Sequence, residues 1–102
     1  MLIQKGGAVY IITNKRHTVL YTGVTSDLYK RIKQHKEKVY QKSFTAGYNW
    51  DKLVWFYIYP QIEEAIAREK QIKAGSRDKK MNLINALNPE WKDLWETEVK
   101  FW

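Results

Sequence analysis

Residues 8–36 read AVYIITNKRHTVLYTGVTSDLYKRIKQHK, and this stretch decides the fold. AVYIIT, Ala8 to Thr13, is dense in β-branched and aromatic residues and predicts a strand. NKRH, Asn14 to His17, is a polar turn, and VLYTGV, Val19 to Val24, predicts a second strand. The two form a hairpin with a loop longer than the tightest type. Alternation sets Val19 and Tyr21 on one face, Leu20 and Thr22 on the other. Gly23 carries no side chain, so backbone or ligand can approach it closely. Ser26 or Asp27 then caps a helix that runs to about Tyr40. Its apolar stripe holds Leu28, Ile32 and Val39. His35 falls inside that stripe, with Arg31 on its flank one turn earlier.

Working outward, Gln41 to Lys52 is a polar loop with Phe44, Tyr48 and Trp50 as candidate anchors. LVWFYIY, Leu53 to Tyr59, is a near-continuous apolar run and predicts a central strand covered on both faces. Pro60 stops it. A helix starting near Gln61 runs to Ala74, with Ile62, Ala65, Ile66 and Ile72 on its apolar face, and Gly75 ends it. Ser76 caps a further helix to about Leu87, with Met81, Ile84 and Leu87 as its stripe. Asn88–Pro89 breaks that helix, and Trp91, Leu94 and Trp95 form a packed tail. The order is β-β-α-β-α-α. This is an α/β chain of the α+β kind, a small three-stranded antiparallel sheet flanked by helices. The hairpin rules out a purely parallel sheet.

The chain has 102 residues, room for one domain spanning 1–102. It has no cysteine, which excludes disulfides, zinc thiolates, iron–sulfur ligation and a thiol nucleophile. No stretch approaches 18 apolar residues, so no membrane partner is expected and a cytoplasmic location is the default. Eighteen Lys+Arg against eleven Asp+Glu give a net charge of +7, which favours a polyanionic partner. Within residues 1–40, eight basic residues face only Asp27 and Glu37, so most of the excess gathers there. Phosphate-loop, dinucleotide, HExxH and calcium-loop motifs are absent. Two histidines, His17 and His35, exclude a multi-histidine metal site.

Four residues stand out for chemistry. Glu69 is a carboxylate in the middle of an apolar helical face. Such a group reaches solvent at a boundary, pairs with a cation such as Arg31, or binds a metal. His35 is either a satisfied core residue or, with Arg31, part of a donor cluster suited to phosphate or sulfate. Tyr10 and Tyr21 lie on adjacent strands, where packing is the ordinary role.

Val9-Tyr10-Ile11 followed by Tyr21-Thr22-Gly23 resembles the paired tripeptides of the GIY-YIG nuclease superfamily. LYTGVTSDLYKRIKQHK, Leu20 to Lys36, and IEEAIAREKQIKAGSRDKKMNLINALNPEWKDL, Ile62 to Leu94, are similar to the two blocks of its short stand-alone members. The resemblance covers about residues 6–95. It implies hydrolysis of DNA phosphodiester bonds with one divalent cation, Mg²⁺ or Mn²⁺. It implies Glu69 as the metal ligand, and Tyr10, Tyr21, Arg31 and His35 as catalytic groups. Asn88 matches an asparagine that closes the site in some branches. Lys30, Lys33, Lys36 and Lys38 of the first helix, with Lys79 and Lys80, would bind backbone phosphates. The first tripeptide loses a glycine, and Gly75 stands where short relatives often carry tryptophan. RNA is an alternative substrate class. The resemblance points to structure-selective cleavage in repair or recombination, with a protein partner as one route to target choice. A non-catalytic nucleic-acid-binding module built on the basic first helix is the alternative. Monomer and homodimer both stay open, with Trp95, Phe101 and Trp102 as candidate contact residues.

Overall fold

A computed structural model describes residues 6–37 and 52–102. Strand β1, Gly7–Thr13, pairs antiparallel with β2, Leu20–Thr25, so that Tyr10 lies opposite Gly23 and Ile12 opposite Tyr21. The side chain of Asn14 closes the connecting turn, accepting from the Thr18 and Val19 amides. His17 adopts a left-handed φ of 57° there. Helix α1, Leu28–Lys36, starts at Asp27, whose carboxylate accepts from the Lys30 amide. It ends with Glu37 as its C-cap, short of the expected Tyr40. The expected loop and its anchors Phe44, Tyr48 and Trp50, together with Val39 and Lys38, lie outside the described residues.

Strand β3, Lys52–Tyr59, pairs antiparallel with β1, and the sheet order is β2-β1-β3. The central strand is therefore β1, and β3 is an edge, contrary to the expectation from its apolar run. A continuous apolar run reports covered faces, and both faces of β3 are covered over Leu53 to Trp55, while Tyr57 is exposed. Leu53 joins one core and Val54 and Trp55 the other, because a bulge between Ile11 and Ile12 puts neighbouring residues on the same side. Part of the exposed edge is blocked by side chains: Asn88 donates to the Val54 carbonyl and Asp93 accepts from the Leu53 amide.

Helix α2, Ile62–Ala74, and helix α3, Arg77–Leu87, cover one face of the sheet. Their core holds Val9, Ile11, Val54, Trp55, Ala65, Ile72 and Ile84. Gly7 admits α2 to the sheet, since a Cβ there would stand 2.5 Å from Ile62 Cδ1 and 2.9 Å from Ala65 Cβ. Ser76 caps α3 through the Lys79 amide. Two expected stripe residues lie on the surface: Ile66 and Leu87 are exposed, the latter by 55%. Leu83 packs instead, because α3 meets the sheet on a face turned from the predicted one. The other sheet face is covered by α1 and the tail. Ala8, Tyr10, Ile12, Leu28, Ile32, Leu53 and Val99 form that core, with Leu94, Trp95 and Trp102 against it. The tail is helix α4, Leu94–Thr97, and a 3-10 turn, Val99–Phe101. No helix among the described residues is long and apolar enough to cross a membrane.

Candidate active site

Tyr10 is the middle of the cluster. It sits on the central strand and is 1% exposed. Its ring fills the space a side chain would take at residue 23: a Cβ on Gly23 would stand 2.4 Å from the phenol oxygen. Glycine is thus required here by a neighbouring side chain. The Tyr10 hydroxyl meets His35 Nε2 at 3.3 Å, and the two rings are 6.0 Å apart, edge to face. Tyr21, one register step away on β2, completes a triangle of rings, 6.5 Å from Tyr10 and 6.3 Å from His35. The hairpin supplies the two tyrosines and α1 supplies His35, which is why the stretch 8–36 builds most of the cluster.

The electrostatics divide the roles. Burial pushes the Tyr10 phenol well above its ordinary value; Tyr21 pushes it further, Arg31 opposes, and Glu69 raises it again. Tyr10 therefore keeps its proton at neutral pH. Burial and then the Arg31 charge lower His35 below 6.5, so its imidazole is neutral at pH 7. With the phenol protonated and the imidazole neutral, Tyr10 donates to Nε2 when the ring proton sits on Nδ1, and accepts from Nε2 in the other tautomer. Arg31 is half-buried and also lines a polar cavity of about 360 Å³ with Thr25, Ser26, Asp27, Lys30 and Gln34. Arg31 thus lines that cavity and also acts by its charge on both Tyr10 and His35.

Glu69 comes from α2, yet its charge acts on Tyr10. Its side chain is 14% exposed and pairs with Lys73 at 3.1 Å. Of the fates open to it from sequence, pairing is what the structure shows, with Lys73 and not Arg31 as the partner. The Lys73 ammonium also lies 5.8 Å from the centre of the Tyr21 ring. Sequence reasoning passed over Lys73, although its i,i+4 spacing from Glu69 was there to be read. Among the described residues no three histidine or acidic side chains gather to hold a metal. The candidate donor is one sheltered carboxylate whose charge reaches the Tyr10 phenol. That fits a hard cation which keeps several waters and takes its remaining oxygens from substrate phosphate.

Two expected residues stand apart. Asn88 is buried at the far edge of the sheet. Its amide donates to the Val54 and Lys92 carbonyls at 3.1 and 2.8 Å, and its oxygen accepts from the Lys92 amide at 3.0 Å. It closes the chain after α3, where Trp91 takes a left-handed φ of 53°, and its side chain ties that turn to the edge of β3. Lys36 forms an ion pair with Asp93, joining α1 to the tail. Lys30, Lys33 and Lys79 are exposed and Lys80 is half-buried. Lys79 and Lys80 line a second cavity of about 180 Å³ between α2 and α3, with Arg68 across from them.

Residues 6–82 match the GIY-YIG catalytic domain family. That span includes the tyrosines, Arg31, His35 and Glu69, and stops before Asn88. The chain is 41% identical over 91 residues to the UPF0213 protein of Clostridium perfringens, 89% of this chain and 95% of the relative. It is 37% identical over 82 residues to the UPF0213 protein of Syntrophus aciditrophicus, 80% of this chain and 92% of the relative. The solution structure of the UPF0213 protein from Bacillus halodurans superposes with a TM-score of 0.56 at 30% identity, covering 90% of this chain and 96% of that one.

Proposed function

We propose, from the premise that this chain belongs to the UPF0213 family and carries a GIY-YIG catalytic domain, that it is a divalent-cation-dependent endonuclease cutting DNA phosphodiester bonds. The observation that carries this reading is the convergence on Tyr10: its hydroxyl bonds His35, and the charges of Arg31 and Glu69 both act on it.

Arg31 offers guanidinium donors to the scissile phosphate, where negative charge grows in the transition state. Tyr10 and His35 move the proton. A water that gives its proton to the Tyr10 oxygen lets the phenol pass its own proton to His35 Nε2. The hydroxide attacks phosphorus, the 3′-oxygen leaves, and His35 ends as imidazolium beside an unchanged Tyr10. This route needs no phenolate, which the raised pKa of Tyr10 disfavours. Tyr21 forms the third wall and orients the water. Glu69 would hold Mg²⁺ or Mn²⁺, which supplies stabilisation of the phosphoryl and leaving oxygens. Lys30, Lys33, Lys79 and Lys80 contact backbone phosphates without reading bases. Lys36, tied to Asp93, and Asn88, tied to its turn, serve the fold.

The test is a panel of duplex, nicked, flapped, branched and single-stranded DNAs, plus RNA, incubated with wild-type and Glu69→Ala protein in Mg²⁺ or Mn²⁺. Wild type cuts at least one DNA, and Glu69→Ala loses on the order of 10³-fold in rate while still binding. Equal cleavage by the two proteins removes Glu69 from the chemistry. Binding without turnover by wild type makes the chain a nucleic-acid-binding module.

A further inference from the structure

The Glu69 carboxylate has one partner among the described residues, and it is a cation of the chain itself. Lys73 sits one turn along α2 with its ammonium 3.1 Å from Glu69 Oε2. An i,i+4 pair on an open helix face would simply support the helix. Two features set this one apart. The carboxylate is sheltered, at 14% exposure, while the lysine is 49% exposed and can swing away. The ammonium also stands at the lip of the tyrosine cluster, 5.8 Å from the Tyr21 ring centre, where a nucleic-acid phosphate would arrive.

We propose that Lys73 is a built-in competitor of the divalent cation for Glu69, displaced when the cation binds and then free to hold the substrate phosphate. The inference rests on the nuclease reading above. Its physical basis is charge. One carboxylate cannot balance an ammonium and a dication at once, and the two cations repel across a few ångströms of partly desolvated site. Occupancy by one therefore expels the other. Once expelled, the ammonium lies beside the phosphate path with no carboxylate to neutralise it. Cation and nucleic acid then reinforce each other's binding, and the reinforcement is equal in both directions. Without a dication, the Lys73–Glu69 pair keeps the site electrically quiet.

The experiment is a Mn²⁺ titration of the full chain, with free Mn²⁺ followed by electron paramagnetic resonance and no substrate present. Lys73→Met tightens Mn²⁺ binding by about tenfold, because the competitor is gone. Lys73→Arg keeps the charge and stays within about threefold of wild type. Glu69→Gln abolishes the site. A second arm measures labelled duplex DNA by fluorescence anisotropy with and without Ca²⁺. Ca²⁺ tightens wild-type binding, and Lys73→Met loses most of that gain. Mn²⁺ affinity equal in wild type and Lys73→Met, or an undiminished Ca²⁺ gain in Lys73→Met, overturns the proposal. If wild type shows no Mn²⁺ binding that Glu69→Gln removes, the metal seat itself falls and the proposal falls with it. That result is distinct from an intact seat indifferent to Lys73.

Discussion

Asp93 and Glu69 are equally sheltered carboxylates, each 14% exposed and each paired with a lysine, yet their surroundings differ. Asp93 is committed on both oxygens. One accepts from the Leu53 and Trp95 amides at 3.0 and 3.1 Å, and the other takes the Lys36 ammonium. It ties β3, α1 and α4 together at one point. Glu69 meets no backbone amide among the described residues and holds only the swinging end of Lys73. Tyr10 and His35 share this looseness, with a 3.3 Å contact where Asn88 makes bonds of 2.8 to 3.1 Å. A saturated polar group stabilises the fold. A sheltered group with loosely held partners keeps its capacity for a ligand.

The sharpest separation of the two carboxylates comes from removing each. Glu69→Gln eliminates cleavage while melting within a few degrees of wild type, since its partner Lys73 is half-exposed. Asp93→Ala leaves the Leu53 amide and α4 uncapped and destabilises by about 3 kcal/mol in urea unfolding, with the cleavage rate per folded molecule unchanged. The comparison breaks if Asp93→Ala folds as well as wild type. Gly23→Ala probes the border between site and fold. Its Cβ overlaps the Tyr10 phenol, so the variant loses about 2 kcal/mol and most of its cleavage together. Loss of stability with full activity would show that the phenol's position is unimportant to the chemistry.

The pH dependence follows from His35. Its folded pKa is lowered, so the unfolded chain takes up the proton first as pH falls. Its contribution to stability is complete above about 6.5 and is lost below that value. Cleavage declines over the same acidic range, because imidazolium cannot accept the relayed proton. His17 is lowered too, by burial and by Lys52, so the stability slope persists in part in His35→Gln. A stability slope unchanged in His35→Gln would assign the titration to His17 alone. The smallest effect is a gain. Thr22 is buried, and its hydroxyl has no hydrogen-bond partner among the described residues. Thr22→Val keeps the shape, removes an unsatisfied oxygen and stabilises by about 1 kcal/mol without touching cleavage.

The hairpin, the Asp27 and Ser76 caps and the helix ending before Gly75 were legible because each depends on neighbours within a turn or two. So was the alternation that sends Val19 and Tyr21 to one core and Leu20 to the other. The order of strands was not, because an apolar run records whether faces are covered and says nothing about which edge finds a partner. The faces of α2 and α3 were only partly legible, since Ile66 and Leu87 satisfy the helical period yet lie outside the contact the sheet can reach.

By itself the sequence determined an antiparallel hairpin feeding a basic helix, the absence of thiol chemistry, and an acidic residue stranded among apolar neighbours. Those are properties of composition and short spacing. Only the tertiary structure decided that Gly23 makes room for the Tyr10 phenol, that Glu69 faces Lys73 and not Arg31, that Asn88 bonds β3 and the turn after α3, and that Lys36 pairs with Asp93. Each of these depends on which side chains meet across elements, and packing sets that through contacts dozens of residues apart. The shared i,i+4 pair shows the limit of both. Its spacing was written in the chain, but its shelter and its nearness to Tyr21 came from the fold.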